Sequence, residues 1–410
     1  MQAAAEGPVV ESSLYRDAGL TAYVNRVGGR LLAAAGIGRT GWHFRVLDTP
    51  EANAYVLADR EIVITRGMLA LVNDEAGLAV VLGHEIGHAL AGHRTSLRSP
   101  ASRRAAELEA DRIGMATVSA AGYDPAAQVD VLRTLLAAQV LAATLDGGDP
   151  RRAGQGGRDH PALSDRLRAS SRALGGRRAE GARARGAYLS AIDGLVFGDG
   201  QAQGFVRGAS FVHPDLRFAF DPPPGYALAN EPGAIVAEGP AEAMLLLDSV
   251  PDPGGDPAAY IARSWAPEIA MGVGTGGLTA LRALELGGLP AARARLPLAS
   301  DGSRRIADLT VVRHRGRLYR LTGLYRPGDA AAAAALSRAA ASFRPLTRAE
   351  AAQPPPLRIR IHRIAAGDDV AGMASAMPVG AGSRAKFDLI NGLSPGRSLR
   401  VGDAVKLVTD

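Results

Sequence analysis

The sequence predicts a multidomain α+β chain. A mainly helical domain with a small edge sheet takes residues 1–200, an α+β domain takes 205–347, and a small α+β module takes 357–410. Three observations carry this. A chain of 410 residues exceeds one domain at roughly 100–200 residues each. Apolar residues recur at helical spacing up to about residue 198, whereas short alternating strands between Pro and Gly turns take over from Phe205. Pro354-Pro355-Pro356 then reads as a stiff linker.

Composition fits folded, water-exposed domains, with 47% hydrophobic and 21% charged residues. The net charge of +6 comes mostly from Arg, much of it between Arg151 and Arg185. That stretch mixes Arg with Gly and Ala and lacks interleaved aromatics, which argues for a solvated surface or lid and against nucleic-acid binding. The absence of Cys excludes disulfides, thiolate ligands and cysteine nucleophiles. No run of 18 apolar residues stands out, so no integral membrane segment is expected. The N-terminal stretch has no apolar signal core, and the chain reads as an exported protein from which a signal was removed.

In order, Leu14 to Ala35 reads as an amphipathic helix stopped by Gly36. Trp42–Leu47 and Glu61–Thr65 alternate as strands. A helix starts at Asn73-Asp74-Glu75, with a capping side chain and acids in its positive first turn, and runs to about His93. A second helix covers roughly 101–120 and stops at Gly122; Asp124-Pro125 opens a third, apolar one through about Leu145. A Gly-rich loop from Asp146 leads to Asp159-His160-Pro161.

The helix from Asp74 carries His84-Glu85-Ile86-Gly87-His88. An H-E-x-x-H pattern stacks two imidazoles one turn apart on one face, the geometry of a zinc site. Two histidines cannot complete such a site; a carboxylate and an open position for water would. Glu107-Leu108-Glu109-Ala110-Asp111 on the next helix offers that carboxylate. Glu107 stacks over Asp111 and is favoured by helical phase over its competitor Glu109. Glu85 is then the general base, and Asp111 accepts a hydrogen bond from a ligand imidazole, His84. His93 follows His88 by five residues, about 500° of helix, and is expected off the ligand face.

The combination Asn53-Ala54-Tyr55, Ile62–Gly67, His84–His88, Glu107–Gly114 and His160-Pro161 with Arg166 resembles the Ste24/HtpX/Oma-type zinc metallopeptidases, closest to a soluble BepA-like branch. The resemblance covers about residues 10–200. It implies a gluzincin endopeptidase holding one Zn2+ per chain on His84, His88 and Glu107, with Glu85 as base. Protein or peptide substrates and a periplasmic or cell-envelope role in quality control are implied too. Ala58-Asp59-Arg60 stands where relatives commonly have Pro-Gly-Gly before the edge strand that receives substrate as an added strand.

His160 and Arg166 complete the catalytic set. His160 could close the site as a fourth ligand, donate to the oxyanion, or simply start a helix before Pro161. Arg166 could stabilise the oxyanion or pin the loop by pairing with an acid. Downstream, residues 205–347 resemble PsbP/Mog1-type α/β folds. Gly367-Asp368-Asp369-Val370, Asn391-Gly392-Leu393 and Leu399–Leu407 resemble a divergent LysM module, which implies peptidoglycan binding. The alternative function is an envelope chaperone or scaffold with a closed, mainly structural zinc site.

Overall fold

In the computed structural model the described residues are 14–57, 60–93, 99–145, 163–175, 180–207, 209–231, 233–271, 274–300, 303–352, 355–393 and 399–410. They are mixed α and β and form two compact units. Residues 1–198 and 357–410 make up the first, and residues 199–356 the second. The first unit is thus discontinuous in sequence, with the second inserted into it.

The first unit opens with α1 (Ala18–Ala34), capped by Asp17, whose carboxylate accepts from Leu20 N. Strand β1 (His43–Leu47) pairs in parallel with β3 (Glu61–Thr65), which pairs antiparallel with β2 (Ala54–Val56). The order β1-β3-β2 makes Glu61–Thr65 the central strand, not the edge expected from the resemblance. Among the described residues its neighbour β2 is an edge strand. Thr65 then caps α2 (Arg66–Leu71). The Thr-Arg-Gly run has a physical cause: a Cβ on Gly67 would lie 2.0 Å from Pro50 O. Arg66 is fully buried and bonds Asp48.

Helix α3 (Glu75–Leu90) follows, capped by Asp74. Then come α4 (Pro100–Ala120), α5 (Ala127–Leu145), α6 (Leu163–Leu174) and α7 (Arg185–Ile192). The core is built from Val24, Leu31, Phe44, Ile62, Ile64, Leu78, Leu82 and Ile86 among others. Helix α5 is long and apolar enough to cross a membrane by length and composition, although Asp130 and Arg133 interrupt its apolar run, as expected from the sequence. Its first residues, Ala127, Gln128, Val129 and Leu132, are nevertheless buried in this unit.

In the second unit β4 (Phe205–Arg207), β5 (Ser210–His213) and β6 (Phe218–Phe220) join β15 (Arg344–Pro345) in a four-stranded sheet. A larger antiparallel sheet has the order β10-β12-β13-β14-β9-β8-β7, with β11 also paired to β12. Its strands are β7 (Ala227–Glu231), β8 (Ala234–Glu238), β9 (Met244–Pro251), β10 (Gly274–Thr275), β11 (Thr279–Leu286), β12 (Leu289–Ser300), β13 (Ser303–His314) and β14 (Arg317–Tyr325). Short helices α8 (Pro257–Tyr260) and α9 (Ala266–Ala270) flank a π turn, which buries Ile261 and Trp265 against one side of that sheet. Helix α10 (Ala330–Ala341) buries Leu336 and Ala339 in a separate core with Phe218, Tyr319 and Phe343. The short helix α11 (Arg348–Ala351) closes the unit with a capping box.

The chain then re-enters the first unit as β16 (Arg358–Arg363), α12 (Val370–Ala376), α13 (Ser383–Ile390) and β17 (Ala404–Thr409). The antiparallel pair β16–β17 is extended on one side by residues 194–197, through Gly194 N to Ile359 O (2.8 Å) and Phe197 N to Leu357 O (2.7 Å). Lys406, with no exposed surface, donates to Ala70 O (2.7 Å) and Val72 O (2.8 Å) at the end of α2. Burial pushes its ammonium well below the ordinary lysine pKa.

Candidate metal centre

Two helices build the site, and small residues set how close they come. Helix α3 contains Gly77, Gly83 and Gly87, each unfavourable by roughly 1 kcal/mol in a helix interior relative to Ala. Packing explains two of them. A Cβ on Gly87 would lie 2.8 Å from Ala110 O, and one on Gly114 would lie 2.9 Å from His84 N. Gly83 and Gly114 face each other in the same crossing. The backbones of α3 and α4 therefore nearly touch where the histidines stand, which brings Glu107 and Asp111 within reach of them.

The start of α3 is fixed separately. Glu75 accepts from Tyr123 Oη (2.6 Å), Tyr23 Oη (2.7 Å) and Arg26 Nη2 (2.9 Å). Burial opposes its charge, but these donors hold its carboxyl below the usual range. Burial, with the same contact, pushes the Tyr123 phenol up to about 12.

At the crossing, His84 Nε2 and His88 Nε2 are 3.1 Å apart. Glu107 Oε2 is 3.4 Å from the first and Glu107 Oε1 is 3.4 Å from the second. Ligand atoms about 2.0–2.1 Å from a tetrahedral zinc are themselves about 3.3–3.4 Å apart, so separations of this size, with one Glu107 oxygen facing each imidazole, suit that ion. The donor set of two imidazoles and one carboxylate suits zinc and lacks the six or more oxygens that calcium takes. His84, His88 and Glu107 form a group that could hold a metal ion.

Around this triangle the charges are buried. Glu85, Glu107, Asp111 and Arg166 are each 7% exposed or less. Three carboxylates against one guanidinium leave a formal charge of minus two with neutral imidazoles, which a divalent cation balances. Asp111 Oδ1 lies 3.0 Å from His84 Nδ1, on the side of the ring away from Glu107. Burial and the Arg166 charge disfavour a charged His84, but its hydrogen bonds to Asp111 and Glu107 outweigh both and raise it to about 9. Burial likewise disfavours the Asp111 carboxylate, and His84 and Arg166 overcome that and lower it to about 2.

Arg166, on α6, reaches into the same space. It donates from Nε and Nη2 to the two Asp111 oxygens (2.8 and 2.7 Å), and its Nη1 is 2.8 Å from Glu107 Oε2. The structure thus gathers His84, Glu85, His88, Glu107, Asp111 and Arg166. His160 lies outside the described residues, as do Ala58 and Asp59. Arg60 has a φ of +66°, a left-handed conformation that glycine adopts without strain.

Glu109 and His93 stand outside the triangle, as expected, but the helix end differs from expectation. Helix α3 ends at Leu90, three residues before His93, because Gly92 (φ +66°) forms a Schellman turn. Gly92 N bonds Ala89 O (3.3 Å) and His93 N bonds His88 O (3.0 Å). The chain folds back, and His93 Nδ1 comes to 3.1 Å from His88 Nδ1. Glu109, turned away from the triangle, meets His93 Nε2 at 3.2 Å. The sequence signal for this turn was the glycine four residues after His88.

Residues 19–100 match the family described as Peptidase family M48. The mitochondrial metalloendopeptidase OMA1 of Schizosaccharomyces pombe is 30% identical over 138 residues, 26% of this chain and 41% of that protein. The beta-barrel assembly-enhancing protease of Escherichia coli K12 is 27% identical over 165 residues, 30% of this chain and 34% of its own length. The chain spans less than half the length of either relative. The solution structure of cyanobacterial PsbP from Synechocystis overlaps 35% of this chain and 96% of its own, at 16% identity and a TM-score of 0.28, too little to assign a fold. The helix bearing both histidines falls inside the matched stretch, and the chain carries a Peptidase family M48 domain.

Proposed function

We propose that the first unit is a zinc endopeptidase that hydrolyses peptide bonds of misfolded or misassembled cell-envelope proteins. The observation that carries this is the triangle of His84 Nε2, His88 Nε2 and the Glu107 carboxylate at 3.1–3.4 Å, with Glu85 buried next to it in sequence. His84, His88 and Glu107 would hold the ion. Zinc, when bound, supplies Lewis acidity that polarises the scissile carbonyl and lowers the pKa of water near 7.

The chain's own residues do the rest. Glu85 takes the proton from the attacking water and returns it to the leaving amine. Asp111 accepts from His84 Nδ1 and so keeps the ring's Nε2 lone pair toward the ion. Arg166 holds Asp111 and Glu107 in place. An extended peptide would add to the edge of β2 that pairs with no described strand, beside α3. His160 would act as a gate or as an oxyanion donor.

The envelope assignment draws on the names of relatives, one a beta-barrel assembly-enhancing protease and another mitochondrial. Peptidoglycan binding by 357–410 draws on the LysM resemblance, and its test is retention of the full chain on insoluble peptidoglycan, since this segment shares the first unit. The peptidase reading is tested by chelator-sensitive cleavage of casein. Zinc bound without any cleavage would favour the chaperone or scaffold reading instead.

A further inference from the structure

We propose that His93 and Glu109 form a relay that decides which nitrogen of His88 carries its proton, and so keeps the other one available to the metal. The relay rests on the reading of His88 as a ligand. Its geometry is a line of three groups: His88 Nδ1 to His93 Nδ1 at 3.1 Å, and His93 Nε2 to Glu109 Oε2 at 3.2 Å.

The proton positions along that line follow from what each group can do. A carboxylate only accepts, so His93 Nε2 carries the hydrogen toward Glu109. In a neutral imidazole the other nitrogen is then a lone pair, so His93 Nδ1 accepts. Two lone pairs 3.1 Å apart repel, so His88 Nδ1 must donate. That leaves the lone pair of His88 on Nε2, the atom that faces His84 Nε2 and Glu107 Oε1. Glu109 therefore sets the tautomer of a ligand it does not touch.

The two histidines of the triangle are thus supported differently. His84 meets a carboxylate directly, at Asp111. On its Nδ1 side His88 reaches one only through a second imidazole, because α4 presents Asp111 and Glu107 to one side and Glu109 to the other. The Schellman turn at Gly92 supplies the bridging ring. His93 and Glu109 are positioning residues; neither belongs to the group that could hold the ion.

The test measures zinc affinity of the full chain by chelator competition, in wild type and in Glu109→Ala, Glu109→Gln, His93→Phe and the double variant His93→Phe/Glu109→Ala. Loss of a supporting partner of a ligand histidine weakens metal binding by about 10–100-fold, which is expected for His93→Phe. Glu109→Ala should weaken it by about tenfold. The double variant should be no worse than His93→Phe alone, because both act through one line. Glu109→Gln, whose amide oxygen can still accept, should stay within about threefold of wild type.

In the zinc-loaded wild type, nitrogen-15 NMR of the imidazoles should show the His88 proton on Nδ1 and the His93 proton on Nε2. The Glu109 side chain is 51% exposed, so its variants remain folded. Affinities of Glu109→Ala and His93→Phe within twofold of wild type would overturn the relay, as would losses that simply multiply in the double variant. A wild-type chain that binds no zinc would sink the reading of the triangle itself, a different result from a zinc-binding chain indifferent to residues 93 and 109.

Discussion

Arg166 grips Asp111 with two parallel hydrogen bonds, Nε to Oδ2 at 2.8 Å and Nη2 to Oδ1 at 2.7 Å, although the two residues lie 55 positions apart. The same guanidinium touches Glu107. Helix α6 is therefore fastened to α4 by charge inside the site. A lysine cannot reproduce the fork. Arg166→Lys should destabilise the metal-free chain by about 3 kcal/mol, since breaking a buried pair strands its partner. Thermal melts with and without zinc check this. The deficit should shrink with zinc present, because the ion compensates the same carboxylates.

The helix crossing predicts a glycine effect opposite to helix propensity. Gly114→Ala adds a Cβ 2.9 Å from His84 N and should destabilise by about 1–3 kcal/mol through overpacking, while weakening zinc binding. Gly186→Ala, in α7 with open space around it, should instead stabilise by up to about 1 kcal/mol. Paired denaturant titrations separate the two outcomes.

Protonation of His84 ties stability to pH in the metal-free chain. Its pKa rises from 6.5 to about 9 on folding. The stabilisation is thus fully present below pH 6.5 and is lost as pH climbs through about 9, on the order of 3 kcal/mol in all. Zinc binding has the opposite slope, since the ion must displace that proton. Melts of the metal-free chain from pH 6 to 9.5 should fall with pH, while zinc affinity measured over the same range should rise.

Lys406 joins the last strand to the end of α2, which leads into the helix of the histidines. A chain ending at residue 356 should lose the cooperative unfolding of the first unit and its metal binding. Lys406→Met, which leaves two buried carbonyls without their donor, should lower stability by roughly 1–3 kcal/mol. Circular dichroism and zinc content of the truncated chain are the readouts. A folded, zinc-binding 1–356 fragment would show the C-terminal segment to be dispensable.

Local pattern made much of this legible in the sequence. The spacing of His84 and His88 and the acids about two and three turns into the next helix brought the right side chains together, because helical phase is a short-range property. Glu61–Thr65 was readable as a strand, but its central place depends on Ala54–Val56, three residues too few for any periodicity. Strand β12 escaped notice because its buried positions are largely alanines, Ala291, Ala292 and Ala294, which carry little apolar signal, and β11 because it is mostly exposed. The end of α3 was placed three residues too late, at His93, by extending the helix through a glycine that ends it. The return of residues 357–410 to the first unit depends on contacts more than 150 positions apart, such as Arg358 with Gly194, and no local pattern encodes them.

The central claim is that the triangle of His84, His88 and Glu107 holds a zinc ion for which Glu85 moves protons. Casein cleavage and zinc content, measured together on wild type and Glu85→Gln, test it most directly. The account predicts about one zinc per chain in both proteins, with cleavage by wild type that a chelator abolishes and a loss of at least about 100-fold in the variant. Equal cleavage by the two proteins, or a wild-type chain that retains no zinc, would contradict it.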